Sequence, residues 1–183
     1  GERATSVTER GLGGTSSKLL HACPVPLLLV HQAPVEDEQA LVAVDLSPLS
    51  AAVIAAARVC TRGRPLRVFH AYSVPFESRL EAYGYSAETI AVYSEDEHAR
   101  RQAALAELVA SERGLETHCT VKRGDAAKAL LQELNSLAPS LVVMGQHSRK
   151  MHQAGTTSYG SVCHYIVSLT TTNTLIVPAA GAA

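Results

Sequence analysis

Aromatic residues are scarce in this chain of 183: they make up 4% of it, and Trp is absent. Base-stacking platforms for single-stranded nucleic acid need such rings, so the scarcity argues against them. An excess of either charge is missing too, since 16 basic residues face 17 acidic ones and the net charge is -1. That balance argues against a globally basic surface for nucleic acid or for an anionic membrane. No apolar run approaches the roughly 18 residues of a membrane span. Runs such as Leu27 to Val30 are a few residues long. Disorder is excluded from the other side, because 46% hydrophobic and 18% charged residues suffice for a core.

The four cysteines, Cys23, Cys60, Cys119 and Cys163, stand far apart and form no CxxC pair. Neither a zinc ribbon nor a thioredoxin-type motif has that spacing. They read as reduced, mostly buried thiols. No signal-peptide pattern opens the chain, and together these features give the expectation of a cytoplasmic protein. The first residues are Gly1-Glu2-Arg3 without a Met, so a processed or shortened chain is expected.

Charge is unevenly placed. Phe76 to Leu115 holds eight acids against four bases and reads as a solvated helix face. Acidic residues then end at Glu133, beyond which the bases are Arg149 and Lys150, joined by His147, His152 and His164. An anion site needs local positive potential rather than a basic whole, so this acid-free end is where an anion is expected.

From Ala40 the pattern becomes periodic. Ala40 to Val44 is a short apolar run ending at Asp45, as in a strand buried on both faces. Ser47 as cap and Pro48 in the first turn open an Ala-rich helix that runs to Cys60. Leu66 to Ala71 is a second strand. Ala87 to Arg113 has helical spacing and is closed by Gly114. Leu115 to Val121 alternates as a third strand with one more exposed face. Gly124-Asp125 turns into a helix carrying Leu130, Leu131 and Leu134. Leu141 to Met144 is a fourth strand ending at Gly145. Ser161 caps a helix with Val162, Tyr165, Ile166 and Leu169 on one stripe, and Thr174 to Val177 is a fifth strand. This order predicts an α/β fold: an open five-stranded parallel sheet with helices on both faces.

The start of the chain repeats its end. Gly14-Thr15-Ser16, Leu19, Leu20 and Pro26 to Val30 mirror Gly160-Ser161-Val162, Tyr165, Ile166 and Thr174 to Val177. Three parts are expected: residues 1–36 as the last loop, helix and strand of a preceding domain plus linker, 37–180 as a near-complete domain, and 181–183 as a tail. The two apolar last strands are expected to pair, with each other across a pseudo-two-fold axis or with copies in a second chain, because an unpaired apolar edge invites aggregation.

Four motifs in order carry a resemblance. Ala43-Val-Asp45-Leu-Ser47 after the first strand, Val68-Phe-His70-Ala71 at the second, Val121-Lys-Arg-Gly124-Asp125 and Val142-Val-Met-Gly145 with its loop to Gly160-Ser161 resemble a universal stress protein domain. The resemblance covers Gln39 to Pro178, and Gly1 to Val30 resembles the tail of a preceding domain of the same type, a tandem arrangement with most of the first domain missing. It implies a Rossmann-like sheet of the adenine nucleotide alpha hydrolase kind. It also implies a dimer through the last strands, and a companion N-terminal fragment is a further expected partner. Nucleic acid and membrane are not expected partners.

In ATP-binding members the loop reads G-x-x-G, nine residues, then G-S or G-T. Glycines let backbone N–H groups approach phosphates, and the final Ser or Thr begins a helix whose N-terminus favours anions. Carried over by position, the adenosine contacts are Asp45 and the Ala71 backbone, and the phosphate contacts are Gly145, Gly160, Ser161 and the Val162 amide. Ser47, His147, Ser148 and Arg149 complete the candidate set. The expected cofactor is ATP, with Mg²⁺ accompanying it. The sequence departs from the pattern at Ser148, where the second glycine would stand, and eleven residues rather than nine separate Ser148 from Gly160. The copy at Gly1 keeps the nine-residue spacing but has Ala4 for the second glycine and lacks the Asp-bearing strand.

Each residue has a plainer role beside the functional one. Asp45 either contacts a nucleotide or caps the following helix. Arg149 and Lys150 are either a solvated loop or phosphate partners. His70, on an apolar strand, reads as a hydrogen-bonded core histidine. Gly155 to Gly160 is G-x-x-S-x-G rather than a nucleophile elbow. His147, His152, Cys163 and His164 lack metal-ligand spacing. Three function classes follow: a nucleotide-binding regulatory protein, a nucleotide-independent member acting through dimerisation and partners, and a slow ATPase. The third lacks an evident general base, metal-binding carboxylate pair or P-loop lysine, so binding without efficient turnover is expected.

Overall fold

A computed structural model of the chain describes residues 19–20, 23–33, 39–74, 83–112, 117–146 and 161–179. Four short apolar segments become the centre of a sheet because each is buried on both faces. They are β2 (Ala40–Ala43), β3 (Leu66–Tyr72), β5 (Leu141–Gly145) and β6 (Asn173–Val177). The more polar β4 (Thr117–Arg123) lies at one edge, and β1 (Leu27–Leu29) at the other. The strand order is β1-β6-β5-β2-β3-β4. Strands β2 to β6 are parallel, as expected.

The sheet has six strands rather than five. The additional strand, β1, runs antiparallel to β6 with Leu27 opposite Ile176 and Leu29 opposite Thr174. The two apolar segments expected to pair therefore do so within one chain. At the far end of this ladder the Asn173 side chain clamps the returning backbone. Its Oδ1 accepts from the His31 and Gln32 amides at 2.8 and 3.0 Å, and its Nδ2 donates to the Gln32 carbonyl.

The crossover helices divide between the two faces. Helices α1 (Leu49–Cys60) and α2 (Ala87–Ala110) cover one face, where Val42, Val68, Val143 and Leu175 meet Val53, Ile54 and Leu105. Helices α3 (Ala126–Leu137) and α4 (Ser161–Leu169) cover the other, where Leu41, Phe69, Val142 and Ile176 meet Leu130, Leu134, Cys163 and Ile166. Alternate residues of each strand thus feed two separate cores, which is the period-two rule for a sheet covered twice.

Local signals set the helix ends. Ser86 and Asp125 cap α2 and α3, their side chains accepting from the Thr89 and Lys128 amides. Ala138 leaves α3 in the left-handed conformation, and Pro139 follows. Ser47 does not cap α1: the cap position is Pro48, without a side-chain bond. The stripe of α4 also differs from expectation. Tyr165 and Leu169 face outward, and the buried residues are Cys163, Ile166 and Val167. The expected stripe is rotated because Cys163 supplies an apolar contact that a reading confined to aliphatic and aromatic residues passes over. Helix α2 is largely the solvated face expected of it, except that Glu97 is buried and paired with Arg100 and Arg101.

Replacing Asn173 by Ala leaves two half-buried amides without an acceptor, so a loss of about 1–3 kcal/mol in unfolding free energy is expected. Hydrogen exchange at His31 and Gln32 should accelerate with it. Unchanged exchange at both amides would show that β1 is held by its ladder alone.

Candidate functional site

The chain crosses from β2 to β3 over one face through α1, and from β5 to β6 over the other through α4. Between β2 and β5 the crossovers therefore diverge, and a crevice opens at the carboxyl ends of the strands. A pocket of about 100 Å³ lies there. Its walls are the ends of β2 (Ala43 to Asp45), β3 (Phe69, Ala71) and β5 (Met144 to Gln146). The first turns of α1, α3 and α4 close it through Leu49, Ser50, Ala126, Val162 and Cys163. The first turns of three helices thus converge on one apolar pocket, each with the partial positive charge of a helix N-terminus, and those of α1 and α3 already carry the Asp45 and Asp125 carboxylates.

Asp45 stands at the rim, exposed, with its orientation fixed by its own turn. Its Oδ1 accepts from the Ser47 amide at 3.0 Å and from the Ser50 hydroxyl at 3.3 Å. This Asx-turn holds Leu46 in the left-handed region at φ 59°, an unfavourable state for a residue with a Cβ. The α1 start therefore relies on Asp45 rather than on Ser47, whose own hydroxyl is buried without a partner. Gly145 lets the floor approach α1 closely: a Cβ there would come within 2.8 Å of the Leu49 Cδ2 and fill part of the pocket.

Behind the rim, His70 is buried and its Nδ1 lies 2.9 Å from the Val44 carbonyl. A carbonyl only accepts, so Nδ1 carries the proton; Nε2 is buried without a partner, and it is burial that favours the neutral ring. Burial pushes the ring's pKa below its ordinary 6.5; the Val44 hydrogen bond opposes this, Arg101 adds to it and Asp45 opposes it. His70 is thus the core histidine expected of it, and it anchors the end of β2. Cys163 is buried in the pocket wall, and burial pushes its thiol up to about 12. It is a protonated apolar contact, not a nucleophile.

Of the sequence candidates, Asp45, Ala71, Gly145 and Val162 meet at this pocket. Ser47 supports Asp45 through its amide without lining the pocket. Ser161 is the first residue of α4 and precedes the pocket-lining Val162. His147, Ser148, Arg149 and Gly160 lie outside the described residues. Leu49, Phe69, Leu130, Met144, Gln146 and Cys163 line the pocket without having been foreseen. Apolar wall residues look like any core residue in a sequence, whereas Gln146, beside the Gly145 turn, offered a polar signal. Among the described residues no group of three or more His, Cys, Asp or Glu is placed to hold a metal. No helix among them is long and apolar enough to cross a membrane.

A family model described as the universal stress protein family matches residues 38–178. No curated protein matches the chain. Among solved structures it is similar to a functionally unknown protein from Pseudomonas aeruginosa PAO1, with 18% identity and TM-score 0.68. A putative universal stress protein from Pseudomonas aeruginosa UCBPP-PA14 gives 19% and 0.65. Both likenesses cover 98% of this chain, which spans 61% and 62% of those proteins. A universal stress protein from Archaeoglobus fulgidus DSM 4304, at 21% identity and TM-score 0.57, is matched by 88% of this chain over 52% of its own length. At these identities the likenesses concern the fold.

The neutral His70 makes stability depend on pH with a definite sign. Below its ordinary 6.5 the unfolded chain takes a proton that the folded chain resists, so stability falls as pH is lowered through that value. His70→Asn retains a donor toward Val44 and removes the titration. Its urea midpoint should fall less steeply than the wild type's between about pH 6.5 and 5. Parallel curves would contradict the neutral assignment.

Proposed function

The chain belongs to the universal stress protein family, and on that premise we propose that it binds ATP or a related adenine nucleotide without efficient turnover. The observation that supports this reading is the convergence of three helix N-termini and the Asp45 rim on one crevice at the carboxyl ends of β2, β3 and β5. Such termini favour phosphate, and a carboxylate at a strand end accepts hydrogen bonds from ribose hydroxyls or an adenine amino group. The apolar floor of Phe69, Leu130 and Met144 suits the faces of a purine. Gly160, Ser161 and the Val162 amide would take the phosphates, and Mg²⁺ arriving with ATP would be held chiefly by those phosphates.

A second reading keeps the same family and dispenses with the nucleotide. The described walls leave about 100 Å³, below the roughly 300–1,000 Å³ of small-molecule sites. A regulatory protein acting through dimerisation and partner contacts is consistent with that size. For either reading the antiparallel pairing of β1 with β6 supports residues 1–36 being the end of a preceding domain of the same kind.

Thermal unfolding with added ATP separates the two. At ATP a hundredfold above its dissociation constant the gain should be about 2.7 kcal/mol. Asp45→Ala should weaken binding at least about tenfold, equivalent to about 1.4 kcal/mol. Gly145→Val, which fills the pocket, should abolish the shift. No shift of the wild type at millimolar ATP would favour the nucleotide-independent reading.

A further inference from the structure

Gln146 follows the last residue of β5 and is 2% exposed. Its side chain faces two ways. The Nε2 donates to the Leu20 carbonyl, across 126 positions of sequence. A carbonyl only accepts, so the nitrogen faces Leu20 and the amide orientation is settled. The Oε1 of the same amide is buried without a hydrogen-bond partner. Such an acceptor lowers stability relative to a paired one. Gln146 also lines the pocket at the strand ends, and it lines a separate small crevice against Leu20, Cys23 and Leu27.

The surroundings tie these facts together. The Gln146 amide donates to the Val177 carbonyl at 2.8 Å, at the end of β6, the strand that β1 pairs with. Leu20 is itself 2% exposed and shares a core with Met144 and Cys163, both of which line the pocket. The segment that carries Leu20 and β1 therefore packs against the back of the pocket wall. Within that apolar packing Gln146 adds one polar contact, and only one end of its amide is satisfied.

The geometry points to Gln146 as a positioning residue that couples occupancy of the pocket to docking of Leu20 and β1. Oε1 is covered in this structure, so a ligand that opens this cover and donates a hydrogen bond to it, through a ribose hydroxyl or an adenine amino group, pairs the orphaned acceptor only while Nε2 is held by Leu20. With the segment undocked the amide turns and hydrates, and that contact is lost. The ligand then binds the docked state more tightly, and by linkage the docked segment raises the ligand's affinity by the same factor. This rests on the nucleotide reading given above, with the coupling as the added element.

Hydrogen exchange of the full chain, with and without ATP, tests it. The reporters are the Cys23 amide, which donates to Leu19 at 2.9 Å in the docked segment, and the amides of α1 and α4 at the pocket. In the wild type ATP should slow exchange at Cys23 as well as at the pocket. In Gln146→Met, which keeps the volume, Cys23 should exchange about tenfold faster without ATP and should not respond to it. Gln146→Glu, which keeps an acceptor and removes the donor to Leu20, should uncouple Cys23 in the same way while remaining folded. Protection at the pocket without any at Cys23 overturns the coupling and leaves nucleotide binding intact. Protection nowhere overturns the nucleotide reading and the coupling with it. Equal ATP-dependent protection of Cys23 in wild type and both variants overturns the role of Gln146.

Discussion

The constraint on which the rest depends is the position of β2, flanked by two parallel neighbours. Ala40–Ala43 is only four residues long, yet it pairs with β3 on one side and β5 on the other over its whole length. A parallel neighbour on each side requires a crossover for each, and right-handed crossovers leading in opposite directions must lie on opposite faces. The helices after β2 and β5 are thereby forced apart at the carboxyl end of the sheet. The crevice and its three converging helix N-termini follow from that separation. His70 secures the arrangement from below, since its Nδ1–H holds the carbonyl of Val44 where β2 ends and the Asp45 turn begins.

The site is assembled from backbone features more than from reactive side chains. Asp45 is fixed by Ser47 and Ser50, Gly145 permits the approach of Leu49, and the Cys163 thiol stays protonated. None of these is arranged to move a proton or attack a bond. They orient and enclose, as the proposed binding without efficient turnover requires.

Much of this was legible in the sequence, for physical reasons. Ala40 to Val44 and Leu141 to Gly145 are continuous apolar runs between turn residues, and only a strand covered on both faces accommodates such runs. The start of α3 was legible because Gly124-Asp125 reads as a turn into the helix that immediately follows. Asp45 and Gly145 were legible through the family resemblance of their motifs. What was not legible involves partners distant in sequence or a choice between faces. That the two apolar last strands pair was legible, but whether the partner lies in the same chain or a second one was not, because β6 is far along the chain from β1. The α4 stripe turned toward Cys163 because tertiary packing chose that face over Tyr165 and Leu169. Gln146 read as a loop residue, since its partner, the Leu20 carbonyl, carries no sequence signal at all.

The central claim is that a nucleotide occupies the crevice at the ends of β2, β3 and β5. The chain has two methionines, and Met144 lines that crevice. Carbon-labelled methyl groups of Met and Leu, followed by NMR during titration with ATP, report on it directly. The account predicts a saturable shift of the Met144 methyl and of Leu49 and Leu130, with the outward-facing Leu169 unmoved. Unchanged Met144, Leu49 and Leu130 signals at saturating ATP would contradict it.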